Sequence, residues 1–255
     1  PNRVLVIGAS QLAKLPPLVE NRRFAADLFS DADKAAWLDF AMRFQQLTGP
    51  IMAKGMEDTA FYVYNRLASL NEVGGMPERF GTTLETFHGQ NIERMKSWPH
   101  ALITTATHDT KRGEDTRQRI NVLSEIPREW AERVRTWQRL NRRFSRRIER
   151  ALAPDRTDEL LLYQTLIGSW PLLMEEVPDF VERLKEYVIK AAREAKVHSR
   201  WLAPDIEYEK ALTDFVEAIL DESGENEFLE HFLRTQSRLA YYGSLNSLSQ
   251  LLLKI

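Results

Sequence analysis

Apolar residues along this chain recur mostly at helical spacing, with one sharp change of pattern between residues 101 and 117. Residues 31–48 put Ala35, Leu38, Ala41 and Met42 on related faces and predict an amphipathic helix, stopped by Gly49-Pro50. A second helix is predicted over 58–70 and carries Phe61, Tyr62 and Tyr64. Gly74, Gly75 and Pro77 predict a loop. Thr82 and Glu85 have capping-box spacing, so a helix should run from about 83 to 97 and close at Pro99. Residues 101–107, ALITTAT, are short, apolar or β-branched, as a buried strand requires. A helix over 114–124 should follow.

The second half is predicted almost wholly helical. Residues 128–151 read as one long arginine-rich helix. Residues 158–169 carry Leu161, Leu162, Thr165 and Leu166 at helical spacing, and 179–198 and 205–221 are two more amphipathic stretches. Asp221–Glu225 is the clearest loop, then a helix should reach about Ala240 and a last one should cover 244–254. The expected fold is therefore mainly α, with a single clear strand at 101–107 that must pair with another element or stay frayed. The predicted division is 1–125, carrying that strand, and a helical 126–255.

Composition changes this picture little. At 255 residues and 43% hydrophobic content the chain can bury a sizeable core. Lys and Arg number 35 against 37 Asp and Glu, a net charge of −2, which argues neither for nucleic acid nor for an anionic membrane, and no partner of either kind is expected. The eight arginines between 133 and 150 are interleaved with Glu129, Glu132 and Glu149, which fits a solvated face or a domain interface. No cysteine is present, so there is no disulfide framework and no thiolate chemistry, and a cytoplasmic location is expected. No apolar run reaches the length of a membrane span, and VLVIGAS is too short for a signal-peptide core. Gly8 lacks the further glycines of a dinucleotide fingerprint. Glu194 and His198 are four apart on one helix face, but no second element completes a metal site.

The candidate chemistry lies where the predicted strand ends. His108, Asp109, Lys111, Arg112, Glu114 and Asp115 crowd together there, an arrangement poor for packing and common at the catalytic mouth of a barrel. A solvated loop would have a similar composition. Lys111 and Arg112 are either surface cations beside Glu114 or Asp115, or cations serving Asp109. Upstream, AKGMEDTAFYVY places Lys54, Glu57 and Asp58 just before the aromatic residues Phe61, Tyr62 and Tyr64, whose positions prevent all three from facing one core. Sugars stack on aromatic faces, yet packing explains at least two of these rings equally well. Glu57 and Asp58 also fit as acids complementing a helix N-terminus. Asn71 and Glu72 sit where helix gives way to loop, as binders of hydroxyls or, for Asn71, as a cap.

These residues carry a resemblance. The His108-Asp109 pair resembles the motif that ends the seventh strand of the (β/α)8 barrel in the α-amylase superfamily. Its continuation HDTKRGEDTR, with residues 43–75, 161–171, 190–201 and 243–255, resembles the maltooligosyltrehalose synthases. The resemblance implies a helical insertion plus part of a (β/α)8 barrel. It implies intramolecular transglucosylation of maltooligosaccharides, converting the reducing-end α-1,4 bond to an α,α-1,1 bond, without metal or cofactor. It makes Asp109 the carboxylate that stabilises the transition state and His108 its neighbour on a sugar hydroxyl. Lys111 and Arg112, with Lys54, Glu57, Asp58, Phe61, Tyr62, Asn71 and Glu72, would form the acceptor side. The nucleophile and general acid would lie before Pro1, so the chain is expected to be a piece of a larger enzyme, inactive alone. Its barrel-facing surface is then expected to seek the missing barrel domain or to self-associate. An ordinary α-amylase-type hydrolase and a helical interaction module without chemistry remain the alternatives.

Overall fold

The computed structural model describes residues 31–149 and 151–254. The opening RVLVIGAS falls outside them. The chain divides into two compact units after Met52. In the first, α1 (Asp31–Met52) is a single helix that continues through Gly49-Pro50, beyond the expected stop. Pro50 lies in its last turn, where the missing N–H costs one intrahelical bond and leaves the rest of the helix intact. Along it the Trp37 ring meets Phe40 edge-on and Phe40 stacks on Phe44, with 6.1 Å between centroids in each pair.

The second unit begins with a π-helical stretch, Ala53–Ala60, and one α turn, Phe61–Val63. A 3-10 turn at Ala68–Leu70 follows. This replaces the helix expected over 58–70. The reason is visible in the core: Phe61, Tyr62, Ala68 and Asn71 are all buried, which one continuous helical face would not achieve. Next comes α2 (Leu84–Ser97), capped by Thr83, whose hydroxyl accepts from the Thr86 amide. The cap is one residue later than the capping-box spacing suggested.

Residues 101–107 do not form the predicted strand. They run without a ladder partner among the described residues, and Leu102 is fully exposed. Ile103 and Thr105 instead border an open cleft shared with Trp98 and Leu253. A strand is stable only with a neighbour to satisfy its amides and carbonyls. None of the described residues supplies one here. The expected helix at 114–124 is present as α3 (Glu114–Asn121) with a 3-10 turn, Val122–Glu125.

The arginine-rich region is corrected. Helix α4 spans Pro127–Asn141, and a 3-10 turn then leads into a hairpin. Its strands β1 (Arg146–Ile148) and β2 (Ala151–Ala153) pair antiparallel in the register Arg146↔Ala153, Arg147↔Leu152 and Ile148↔Ala151. Glu149 takes a positive φ of 48° at the turn, the left-handed region that tight hairpins use. The hairpin buries Ile148 and Ala153 and returns the chain to start the next helix at a fixed point. Tertiary packing has overridden the local helical pattern.

Four helices complete the unit: α5 (Arg156–Ser169), α6 (Val177–Ala195), α7 (Ile206–Ile219) and α8 (Glu227–Lys254). α5 is buried on nearly every face and packs against α3, α4, α6 and α8. Around it, Trp137 meets Trp130, Tyr163, Phe228 and Phe232 in edge-on contacts with centroids 5.3–5.9 Å apart. α8 runs unbroken where two helices were expected. Gly243 at its middle faces Arg119 of α3, and a Cβ there would lie 2.8 Å from the Arg119 Cα. The glycine serves a close helix crossing here and does not break the helix. The mainly α class holds. The expected boundary at residue 125 falls where α3 packs into α5, inside one core. Among the described residues no helix is long and apolar enough to cross a membrane.

Candidate functional site

The two sequence blocks singled out for chemistry meet in space, although the contacting Asp58 and Lys111 are 53 residues apart. The π-helical stretch presents Lys54, Glu57 and Asp58, and the loop before α3 brings His108, Asp109, Lys111 and Arg112. Lys111 Nζ lies 2.7 Å from Asp58 Oδ1, and Lys54 Nζ lies 2.5 Å from Asp58 Oδ2. Asp58 thus sits between two ammonium groups. A π turn adds one residue to each hydrogen-bonded ring, and such turns are frequent at functional sites.

These charges shape one another. Burial pulls the Lys111 ammonium down, but its hydrogen bond and charge contact with Asp58 outweigh this, helped by Asp109 and Glu57. Lys111 is therefore held above the ordinary lysine value. Lys54 is raised too, first by its hydrogen bond to Asp58, with Asp109 and Glu194 contributing. Burial tends to raise the Asp58 carboxyl, yet Lys111 and Lys54 hold it below the usual range. Lys111 pairs with Asp58, and with neither Glu114 nor Asp115. Glu114 instead accepts from the Thr105 hydroxyl at 2.6 Å.

His108 and Asp109 are exposed at the head of a turn. The turn is closed by Thr107, whose hydroxyl accepts from the Asp109 amide and whose carbonyl accepts from Thr110. Among the described residues the Asp109 carboxylate takes no hydrogen bond and no ion pair, and it is near enough to Lys54 and Lys111 to stabilise both charges. Such a carboxylate is free to accept from a ligand.

The other candidates are differently placed. Phe61 and Tyr62 are buried in the core, at 4% and 8% exposure, so neither ring offers a stacking face; Tyr64 is the exposed ring of the three. Asn71 is buried and donates from Nδ2 to the Phe61 and Tyr64 carbonyls, closing the irregular stretch between them. Glu57 accepts from the Gly74 amide at 3.0 Å. Glu72 Oε1 accepts from the Lys111 amide at 2.7 Å and Oε2 from the Arg112 amide at 3.1 Å. Arg112 turns inward, donating to the Ala68 carbonyl and to the Tyr187 hydroxyl, both at 3.1 Å.

Sequence reasoning missed Arg117 and Gln164. Arg117 donates to the Thr105 carbonyl and pairs with Glu72 at 3.5 Å. Its position three residues after Glu114 on a short helix was the available signal. Gln164 looked like one more helical position. Glu194 and His198, four apart in sequence, do not bond to each other. His198 Nε2 lies 2.8 Å from Asp155 Oδ2, and its ring stacks on Tyr208. Asp155, Asp158 and His198 bring potential ligand atoms within 4.8 Å of one another. The protein already uses them: Asp155 caps α5, and Asp158 Oδ2 accepts from the Tyr208 hydroxyl at 2.6 Å. Burial, then the nearby Asp155 charge, push the Asp158 carboxyl up to about 6 against the pull of Tyr208 and His198.

No protein-family model matches the chain. A curated protein of Mycobacterium tuberculosis named as a maltooligosyl trehalose synthase is 41% identical over 181 residues, 71% of this chain. The matched region spans only 22% of that relative's length. A crystal structure of a maltooligosyl trehalose synthase superposes with a TM-score of 0.75 at 30% identity, covering 99% of this chain and 31% of its own. The maltooligosyltrehalose synthase from Arthrobacter ramosus gives a TM-score of 0.66 at 38% identity, covering 82% of this chain and 25% of its own.

Proposed function

From its kinship with part of the maltooligosyltrehalose synthases, we propose that this chain forms one wall of a maltooligosaccharide site. The parent reaction on this reading is intramolecular transglucosylation, which moves the reducing-end glucose from an α-1,4 to an α,α-1,1 linkage. The single observation that carries the reading is the Asp109 carboxylate: exposed, without a protein partner among the described residues, and on the same loop as Lys111, which pairs with Asp58.

Retaining glycosyl transfer requires a nucleophilic carboxylate and a proton donor flanking the scissile bond, through an oxocarbenium-like transition state. Asp109 acts as neither in this reading. It accepts hydrogen bonds from hydroxyls of the distorted sugar, and these strengthen as positive charge develops on the ring. His108 contributes at the same ring. The ammonium groups of Lys111 and Lys54 offer further donors to hydroxyls. Asp58 holds both lysines in place. The nucleophile and general acid belong to the rest of the parent protein, so these residues alone bind sugar without transforming it. The exposed Leu248, Leu251, Leu252 and Leu253 at the end of α8 favour contact with that remainder or with a second copy.

The test is an NMR series on the chain with maltopentaose, following the anomeric signals. Broadening of the reducing-end signals at constant intensity, lost in Asp109→Asn, is the expected result. A growing trehalose-type anomeric signal would show that the nucleophile and acid are present after all. Release of glucose would favour the α-amylase-type hydrolase. No broadening in either protein would leave the helical interaction module as the better reading.

A further inference from the structure

We infer that Glu72 and Arg117 act together as the positioning device for Asp109, so that Glu72 serves the sugar site from behind and does not touch the sugar. This rests on the reading of Asp109 as a sugar ligand.

The loop that carries Asp109 is held on both sides by this one pair. After Asp109, the successive amides of Lys111 and Arg112 donate to the two carboxylate oxygens of Glu72. Before it, the Thr105 carbonyl accepts from the Arg117 guanidinium, which also lies 3.5 Å from Glu72 Oε2. Glu72 Oε1 takes the Val73 amide as well, fixing its own backbone. Both side chains are largely shielded, each at 14% exposure. With its oxygens committed to three amides and a guanidinium, Glu72 has little capacity left for a sugar hydroxyl.

The loop also has side-chain anchors, Lys111 on Asp58 and Arg112 on Ala68 and Tyr187, but the clamp is what holds the backbone amides that follow Asp109. Residues 101–107 have no ladder partner among the described residues, so regular pairing does not hold the approach to Asp109. Within the loop the turn at Thr107 supplies only local bonds. A carboxylate that accepts two consecutive amides fixes their orientation, and charge-assisted bonds of this kind are about twice as strong as neutral ones. Asp109 is one residue removed from the first of those amides. A shift of the loop by an ångström would take its oxygens out of hydrogen-bond range of a sugar.

Amide hydrogen exchange and maltopentaose titration on the whole chain test this, comparing Glu72→Ala, Glu72→Gln and Asp109→Asn. In Glu72→Ala the Lys111 and Arg112 amides should exchange about tenfold faster, while those of Leu166 and Ile167 in the core stay protected. Maltopentaose binding should weaken about tenfold, the equivalent of one lost charge-assisted bond, at a temperature where the melting curve shows the variant still folded. Glu72→Gln, which keeps one carbonyl acceptor, should recover part of both. Asp109→Asn added to Glu72→Ala should cost little more. Unchanged exchange at Lys111 and Arg112 in Glu72→Ala overturns the proposal, as does full-strength binding where Asp109→Asn alone weakens it. If Asp109→Asn binds as the unmodified chain does, the sugar reading of Asp109 fails, and the exchange rates alone decide whether Glu72 holds the loop.

Discussion

Gln164 reaches across 96 residues of sequence to hold Ala68: its Oε1 accepts from the Ala68 amide at 2.7 Å, while its Nε2 donates to the Asn65 carbonyl at 2.9 Å. Both ends of the amide side chain are used on the stretch that leads into the 3-10 turn Ala68–Leu70. Gln164 is fully buried on α5, so it ties the irregular chain after Phe61 to the rigid centre of the unit. Through the Ala68 carbonyl that chain in turn receives Arg112. The glutamine is thus one of the links between the site and the core, beside the Arg112 bond to Tyr187.

Gln164→Ala should therefore cost about 2–4 kcal/mol. It removes two bonds and leaves a buried amide and a buried carbonyl without partners. Urea unfolding would measure this, and Gln164→Glu should not restore it, because a carboxylate cannot donate to the Asn65 carbonyl.

Gly243 allows α8 to cross closely over α3. Gly243→Ala puts a methyl group 2.6 Å from Arg119 Cγ and 2.8 Å from its Cα, and the second neighbour is backbone that cannot rotate away. The helix-propensity gain of alanine, about 1 kcal/mol, works in the opposite direction. Overpacking costs about 1–3 kcal/mol, so a net loss and a lower melting temperature are expected in a thermal scan.

Asp158 should make the protein less stable as pH rises from about 4 to 6. Its carboxyl titrates near 6 in the folded chain because of burial and Asp155, well above its ordinary value of 3.8. The folded state therefore binds the proton more tightly than the unfolded one. The stabilisation is fully present below the unfolded value and is lost as pH passes the folded one, a change of about 3 kcal/mol. Asp158→Asn, which can still accept from Tyr208, should remove this part of the slope. Urea melts of both proteins at pH 4.5 and 7.5 would show it as a gain confined to the higher pH.

Lys111→Met should raise the titration midpoint of Asp58. Burial already favours the neutral carboxyl, and Lys111 is one of the two hydrogen-bonding cations that overcome it. A carboxyl held low contributes stability above its unfolded value and loses it as pH falls through the folded one. With Lys111 gone, that loss should begin at higher pH. A carbon-detected NMR titration of the Asp58 carboxyl reads the shift directly. Sugar binding should weaken in the same variant if Lys111 supports Asp109.

Much of this protein was written in local sequence. The helices α2, α3, α5, α6 and α7 follow from apolar periodicity and from Asp, Thr, Gly and Pro at their ends, because each of those signals acts within a few residues. The concentration of charge at 108–115 was equally plain. Tertiary structure decided what local signals could not. The 101–107 segment has strand composition but no strand, because pairing needs a neighbour that composition cannot supply. The hairpin at 146–153 displaced helical periodicity because Ile148 and Ala153 gain more by packing into the core. Phe61 and Tyr62 turned inward, and Asn71 closed the irregular turn, because that stretch is pinned by Gln164 from α5. Glu72 became a clamp because the amides it meets belong to a loop about 40 residues downstream. Hydrogen bonds between distant segments leave no period in the sequence, so only the fold could reveal which polar residues face a ligand and which hold the backbone that presents them.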